Sequence, residues 1–242
     1  MRNSDAFLTI FSAIESWLRQ QAGADRSTSF YQLVDRGAVK NRAVARYRDD
    51  LKEFADLRNA IVHERSDDHV IAEPNDRAVA DFERVRAALL NPPAVIPKFQ
   101  KAVQSRATTD SVGDAVTLMR DGSFSQLPIL SNGKVVALLT AETVVRWLAS
   151  EVSNKLASPW ETKIDQVLPH TEDQDHYCLL SRRATLLDAL AQFEDFAAQG
   201  KDLDAILISQ DGKPEQQLLG ILTLYDLPAI LGALGLKRMS AT

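Results

Sequence analysis

The second half of this chain carries the same pattern twice, and that repeat limits the possible folds more than any other feature. The stretch "SVGDAVTLM…SQLPILSNGKVVALLTAETVVRWL" matches "ATLLDALAQF…LDAILISQDGKPEQQLLGILTLYDLPAIL". Asp114-Ala115 aligns with Asp188-Ala189, "ILSNGK" with "LISQDGK", and "VALLT" with "LGILT". Each copy reads as helix, strand, turn, strand, helix, with β-rich runs ("LPILS", "KVVALLT", "AILIS", "LLGILT") alternating with amphipathic helical runs. Asn132-Gly133 and Asp211-Gly212 supply the positive-φ positions that a tight hairpin needs, and an inserted "PEQQ" loosens the second copy after its turn. One copy alone cannot bury both faces of so small a sheet, so the two are expected to pack on each other.

The first half has a different texture. "DAFLTIFSAIESWLRQ" places Phe7, Ile10, Phe11, Ile14 and Leu18 at helical spacing and ends near Gly23. "STSFYQLVDRG" reads as a short capped helix stopped by Gly37, and residues from about 40 to 64 as one long helix with Tyr47, Leu51, Phe54, Leu57 and Ile61 on a stripe. "DHVIAEP" reads as a loop or short extended piece. A further helix follows, capped by Asn75 and ended by "NPP", which makes four helices in a small bundle. The prolines of "NPPAVIP" cannot continue a helix and mark the clearest boundary. The expected architecture is α+β: a helical bundle over 1–91, a linker over 92–97, and repeats over 98–157 and 158–242.

Composition narrows the function classes. The formal charge is -5, and residues 1–93 hold 14 Lys and Arg against 15 Asp and Glu. Bulk charge therefore gives no grip on nucleic acid, and no DNA partner is expected. The single cysteine, Cys178, has no disulfide partner and reads as a buried small hydrophobe. The start lacks the uninterrupted apolar core of a signal peptide, and no run approaches a membrane span, so no membrane partner and a cytoplasmic location are expected. The four histidines (His63, His69, His170, His176) show no metal-ligand spacing, and no Gly-rich phosphate loop or nucleophile elbow occurs. His170 and His176 flank "TEDQD", which reads as a solvated acidic loop.

The tandem repeat resembles a pair of CBS domains, named after cystathionine β-synthase. "SQLPILSNGKVVALLTAETV" and "AILISQDG…LLGILTLYDL" carry the resemblance, which covers roughly residues 98–235. It implies that Thr223 and Asp226, a Thr-x-x-Asp motif, hold the ribose of an adenosine compound. It further implies that the adenine packs on the apolar backbone of a strand: Ala205, Ile206 and onward to Ile208 in the second copy, and Gln126, Leu127, Pro128 and Ile129 in the first. Phosphates want cations or helix N-termini, and Arg182 and Arg183 stand just before a helix. The implied ligands are AMP, ADP, ATP or S-adenosylmethionine, with no cofactor required. The first copy departs from the pattern: Thr140 aligns with Thr223, but Thr143 stands in place of the Asp and Ala137 in place of the strand Gly. The competing reading of Asp226 is a helix cap.

"LRNAIVHE" (57–64), on a late helix of the bundle, resembles the R-polar-x3-H motif of HEPN domains. Many such domains are metal-independent endoribonucleases; others are inactive toxin partners or binding modules. In the catalytic reading His63 shuttles protons, Arg58 stabilises the charged phosphorane, and Asn59 positions either. On an ideal helix Asn59 and His63 share a face, whereas Arg58 and His63 point about 140° apart. One chain does not bring Arg58 and His63 together, so a site there implies a homodimer. The competing reading pairs Arg58 with Asp56 or a neighbouring helix and leaves His63 as a solvated residue at a helix C-terminus. Three functions stay open: a ligand-sensing regulator of a dimeric helical domain, a nucleotide-gated endoribonuclease with RNA as its partner, or a dimerisation scaffold that binds no ligand.

Overall fold

The computed structural model describes residues 2–63, 65–66, 69–70, 73–152, 157–172 and 176–236. The chain divides into two compact units: Met1–Pro93 with Leu186–Asp188 and Leu231–Thr242, and Ala94–Thr185 with Ala189–Ile230.

The first unit is built from α1 (Asn3–Ala22), α2 (Phe30–Lys40), α3 (Arg42–Arg46), α4 (Arg48–His63) and α5 (Asp76–Leu90), with two-residue strands β1 (Arg65–Ser66) and β2 (His69–Val70) paired between α4 and α5. α1 ends as expected at Gly23, whose φ of 56° lets its N–H turn back to the Arg19 and Gln20 carbonyls. α2 starts on a capping box between Ser29 and Gln32. It does not stop at Gly37. A Cβ there would meet Val44 at 3.1 Å and Leu18 at 3.2 Å, so the glycine serves helix packing and not termination. The single long helix expected over 40–64 is two helices: Asn41 caps α3, and Tyr47 leaves helical geometry at φ -99°, ψ 18°. Leu51, Ala55 and Ile61 of α4 are buried. The core is aromatic, with Phe82 stacked on Phe54 at 4.2 Å and packed against Phe7 at 4.7 Å between centroids. Asn75 caps α5 by accepting the Ala78 N–H at 2.9 Å.

The second unit begins with the short α6 (Val95–Lys98), irregular at Ile96. The first repeat follows as β3 (Arg106–Ala107), α7 (Val112–Gly122), β4 (Gln126–Ser131), β5 (Lys134–Thr140) and α8 (Ala141–Val152). After α9 (Ile164–Val167) and a 3₁₀ turn (Leu168–His170), the second repeat runs β6 (Tyr177–Ser181), α10 (Leu186–Ala198), β7 (Ala205–Ser209) and β8 (Leu218–Leu222). A 3₁₀ turn (Leu224–Asp226) then leads into α11 (Leu227–Ala233). Both sheets have one plan: the leading strand runs parallel to the middle one, which pairs antiparallel with the last. Each also carries an irregularity just before its turn, at Ile129/Leu130 and Ile208/Ser209.

The two hairpins differ. Asn132 (φ 50°) and Gly133 (φ 77°) form the expected tight turn between β4 and β5. In the second copy Gly212 has a positive φ (76°) and Asp211 does not, and residues 210–217 form a longer connection held by Gln216, which accepts the Asp211 N–H at 2.7 Å. The extra "PEQQ" thus replaces the tight turn. Val135 and Leu138 of β5 pack with Ala205 and Leu207 of β7, so the sheets bury one face against each other. The other face of the first sheet buries Leu127, Ile129 and Leu139 beneath Val112, Ala115 and Trp147 of its helices.

Candidate functional site

Thr223 follows β8, and Asp226 closes the 3₁₀ turn after it. The Asp226 carboxylate accepts the Thr223 N–H at 2.8 Å and its hydroxyl at 3.4 Å, while the Asp226 N–H returns to the Thr223 carbonyl at 2.9 Å. The carboxylate therefore does cap this turn. Among the described residues both side-chain bonds fall on Oδ2, which leaves Oδ1 to meet a hydroxyl pair. Both residues are half-buried and line a cavity of about 980 Å³, at the upper end of the range for small-molecule sites.

The opposite wall comes from the other repeat. Gln126 and Pro128 at the start of β4 face the cavity, with Met119 and Phe124 beneath and Val144 and Val145 of α8 beside them. Tyr225, between Thr223 and Asp226, also lines the cavity and is 89% exposed. A planar apolar group thus has a platform, and a diol has a carboxylate across from it. The expected strand residues sort differently. Pro128 lines the cavity, whereas Leu127 points into the core. Ala205 and Ile206 are fully buried, Ala205 between the sheets, and neither lines the cavity with Thr223 and Asp226. Arg182 and Arg183 are exposed and follow β6, whose end pairs with Ser209. Thr223 follows Leu222, which pairs with Ile206 at the other end of β7. The arginines and the Thr–Asp motif therefore sit at opposite ends of one sheet, roughly 10 Å or more apart at the usual strand rise. Arg182 reaches the Gln210 side chain at 3.3 Å. The cations that line the cavity are Lys101 and Arg120, which sequence reasoning missed because they lie outside the aligned motif.

Strand glycine Gly220 has a specific reason. The carbonyl oxygen of Phe99 would lie 2.4 Å from a Cβ at this position. The incoming segment is laid against β8 there, and Lys101 donates its N–H to the Leu219 carbonyl at 3.0 Å.

The corresponding place in the first repeat is filled by polar contacts. Thr143 donates its N–H to the Thr140 hydroxyl at 3.1 Å, and the Thr143 hydroxyl lies 3.0 Å from that of Thr140 and 3.4 Å from that of Thr171. The cavity here is about 210 Å³. Arg146, Glu142 and Glu172 line it, with Arg146 paired to both glutamates. His176, which flanks the acidic run "TEDQD", is buried, with Nδ1 2.7 Å from Asp204 Oδ2. Residues 173–175 of that run lie outside the described residues.

In the helical unit the Arg58 guanidinium lies 5.6 Å from the centre of the Phe11 ring and donates to Asn59 Oδ1 at 3.3 Å. Asp56 accepts from the Tyr31 hydroxyl at 2.5 Å, so Asp56 is engaged there and is not the Arg58 partner suggested by the sequence. Asn59 is half-buried; the His63 side chain lies outside the described residues. Among the described residues no cluster of His, Cys, Asp or Glu could hold a metal, and no helix is long and apolar enough to cross a membrane.

The family model of the CBS domain matches residues 107–150, from β3 into α8. Residues 107–150 are a CBS domain. The second repeat has the same strand order and connections. Among solved structures, the CBS domain of a membrane protein from Sphaerobacter thermophilus is similar at 18% identity over 63% of this chain and 98% of that one, with a TM-score of 0.45. CbpB in complex with c-di-AMP is similar at 14% identity over 63% and 91%, TM-score 0.43. The CBS pair of protein MJ0100 in complex with 5′-methylthioadenosine and S-adenosyl-L-methionine is similar at 13% identity over 59% and 98%, TM-score 0.41. No curated protein matches the chain.

Proposed function

We propose that this protein is a cytoplasmic regulator whose CBS pair binds one adenosine compound per chain in the Thr223–Asp226 cavity, and that occupancy biases a homodimer of the helical, HEPN-like unit. The observation that carries the reading is the joining of a carboxylate with an unengaged oxygen, an apolar wall from the facing repeat and a cavity of about 980 Å³. Asp226 takes the ribose diol through two short charge-assisted bonds. The base lies on the backbone of Gln126–Pro128, between it and Tyr225. The candidate ligands are AMP, ADP, ATP and S-adenosylmethionine. Two of the solved structures named above hold adenosine compounds, but the reading stands on the cavity itself. The test is thermal shift with each of these compounds on the wild type and on Asp226→Ala. A shift confined to the wild type supports the reading; no shift with any compound leaves the dimerisation scaffold in its place.

A second reading makes the helical unit a nucleotide-gated, metal-independent endoribonuclease that uses Arg58, Asn59 and His63 from two chains. It rests on Asn59 and His63 standing four residues apart at the end of α4. The packing of Arg58 over Phe11 gives that arginine a structural role in the single chain, so catalysis requires it to serve RNA as well. Incubation with total RNA in EDTA decides: cleavage lost in His63→Ala supports the enzyme, and equal degradation by both proteins excludes it.

A further inference from the structure

The small cavity after β5 is lined mainly by hydrogen-bond acceptors and carries an excess of negative charge among its described lining residues. We propose that it is a separate ligand site, and that it takes a short, protonated alkylamine, best a diamine. The site stands whether or not Thr223 and Asp226 hold an adenosine compound.

The buried part of the lining is His176, Thr140 and Thr143. His176 and Asp204 are joined twice. The Asp204 N–H donates to the His176 carbonyl at 2.8 Å, and His176 Nδ1 lies 2.7 Å from Asp204 Oδ2. An ionised carboxylate only accepts, so the proton sits on Nδ1 and the neutral ring keeps Nε2 as an acceptor. The His176 side chain is 8% exposed, and its one side-chain hydrogen bond among the described residues is the one at Nδ1. No fully buried side-chain nitrogen or oxygen among the described residues lacks a partner, so Nε2 opens onto the cavity that His176 lines. An unpaired acceptor deep in a polar cavity calls for a donor.

The rest of the lining decides the kind of donor. Four carboxylates, Glu142, Glu172, Asp202 and Asp204, stand against two cations, Arg146 and Lys201. Arg146 is paired with both glutamates, so an anion gains little there. The Thr143 hydroxyl lies 3.0 Å from that of Thr140 and 3.4 Å from that of Thr171, and a hydroxyl that donates its one hydrogen still has lone pairs to offer. An alkylammonium carries a positive charge and three N–H donors, which match Nε2, the Asp204 Oδ1 and a threonine hydroxyl. At about 210 Å³ the cavity is smaller than the roughly 300 Å³ at which drug-sized sites begin, which limits the carbon chain to a few atoms. A second ammonium on that chain meets the exposed Asp202.

Calorimetric titration of the full chain at fixed ionic strength tests this, with 1,4-diaminobutane, its uncharged counterpart 1,4-butanediol, and magnesium chloride as a plain dication. The diamine is expected to bind once per chain, the diol not to bind, and magnesium not to displace the diamine. Asp204→Asn keeps the shape of the side chain and removes its charge, and is expected to weaken the diamine roughly tenfold or more. Asp202→Asn is expected to weaken it less, because that carboxylate is exposed. Glu161→Gln, at an exposed carboxylate outside the lining, is expected to leave binding unchanged. Thermal denaturation checks that the variants fold; where Asp204→Asn does not, Asp202→Asn decides. No binding of the diamine, equal binding of the diol, displacement by magnesium, or unchanged binding in the folded Asp202 and Asp204 variants overturns the inference.

Discussion

The two repeats share one strand plan and yet end differently. After β8 stands Thr223 with a carboxylate three residues on, beside a cavity of about 980 Å³; after β5 stands Thr140 with a hydroxyl three residues on, beside one of about 210 Å³. In the first place the carboxylate holds the turn through one oxygen, and its other oxygen takes no bond from Thr223. In the second, three threonine hydroxyls lie within reach of one another, and Arg146 pairs with Glu142 and Glu172 among the lining residues. A duplicated fold thus offers two equivalent locations, and side-chain chemistry makes one roomy and partly apolar and the other small and polar.

Both repeats depend on the packing between their sheets. Leu207→Ala removes a fully buried side chain from between the two sheets and is expected to cost about 2–5 kcal/mol by chemical denaturation, the range for such deletions in well-packed cores. It should lower the stability of both repeats together, as a single transition of that unit.

Next in size is an attempt to make the first repeat imitate the second. Thr143→Asp sets a carboxylate where the side chain is 2% exposed and where Glu142, Glu172 and Asp204 line the same small cavity. The expected result is a loss of about 1–3 kcal/mol in stability from burying an ill-matched charge, with no second AMP site by calorimetry. A second bound AMP per chain would show that the carboxylate alone separates the repeats.

Cys178 on β6 gives a smaller, pH-dependent effect. Burial pushes its thiol up from 9.0 to about 11. The unfolded chain loses this proton before the folded one does, so the group's contribution to stability is fully present below pH 9 and is lost as pH rises through about 11. Denaturation midpoints measured from pH 8 to 11 should fall over that window, and Cys178→Ala should flatten the fall.

The smallest expected change is Gly37→Ala. Alanine suits a helix interior better than glycine by roughly 1 kcal/mol, but its Cβ must push against Val44 and Leu18 at 3.1–3.2 Å. These offset, and thermal denaturation should move little. A large loss would show that the α2–α3 packing is more rigid than the branched side chains around Gly37 suggest.

The repeat, the turn at Asn132-Gly133 and the caps at Asn75 and Gly23 were legible because each rests on residue types with strong local preferences. Gly37 misled because glycine admits a close neighbour as readily as it ends a helix, and only the packing with Val44 decides between them. The leading strands β3 and β6 went unread: one is two residues long, and the other, "YCLLS", has the apolar run of a buried segment without alternation. At the site, Thr223, Asp226 and Pro128 were readable from motif and alignment. Lys101 and Arg120 were not, since nothing local in the sequence brings residues 101 and 120 to residue 226. Ala205 and Ile206 lie on the repeat's equivalent strand, but the cavity at Thr223 is completed by the other copy, and sequence alignment carries no information on that exchange.

In the function proposed above, the carboxylate after β8 makes the second repeat a ligand site. Isothermal calorimetry of the full chain with AMP, on wild type, Asp226→Ala and Thr143→Ala, tests it most directly. The account predicts one AMP per chain for the wild type and for Thr143→Ala, and affinity reduced roughly a hundredfold in Asp226→Ala, as for a lost pair of charge-assisted bonds. Unchanged binding in Asp226→Ala, or binding abolished by Thr143→Ala instead, would contradict it.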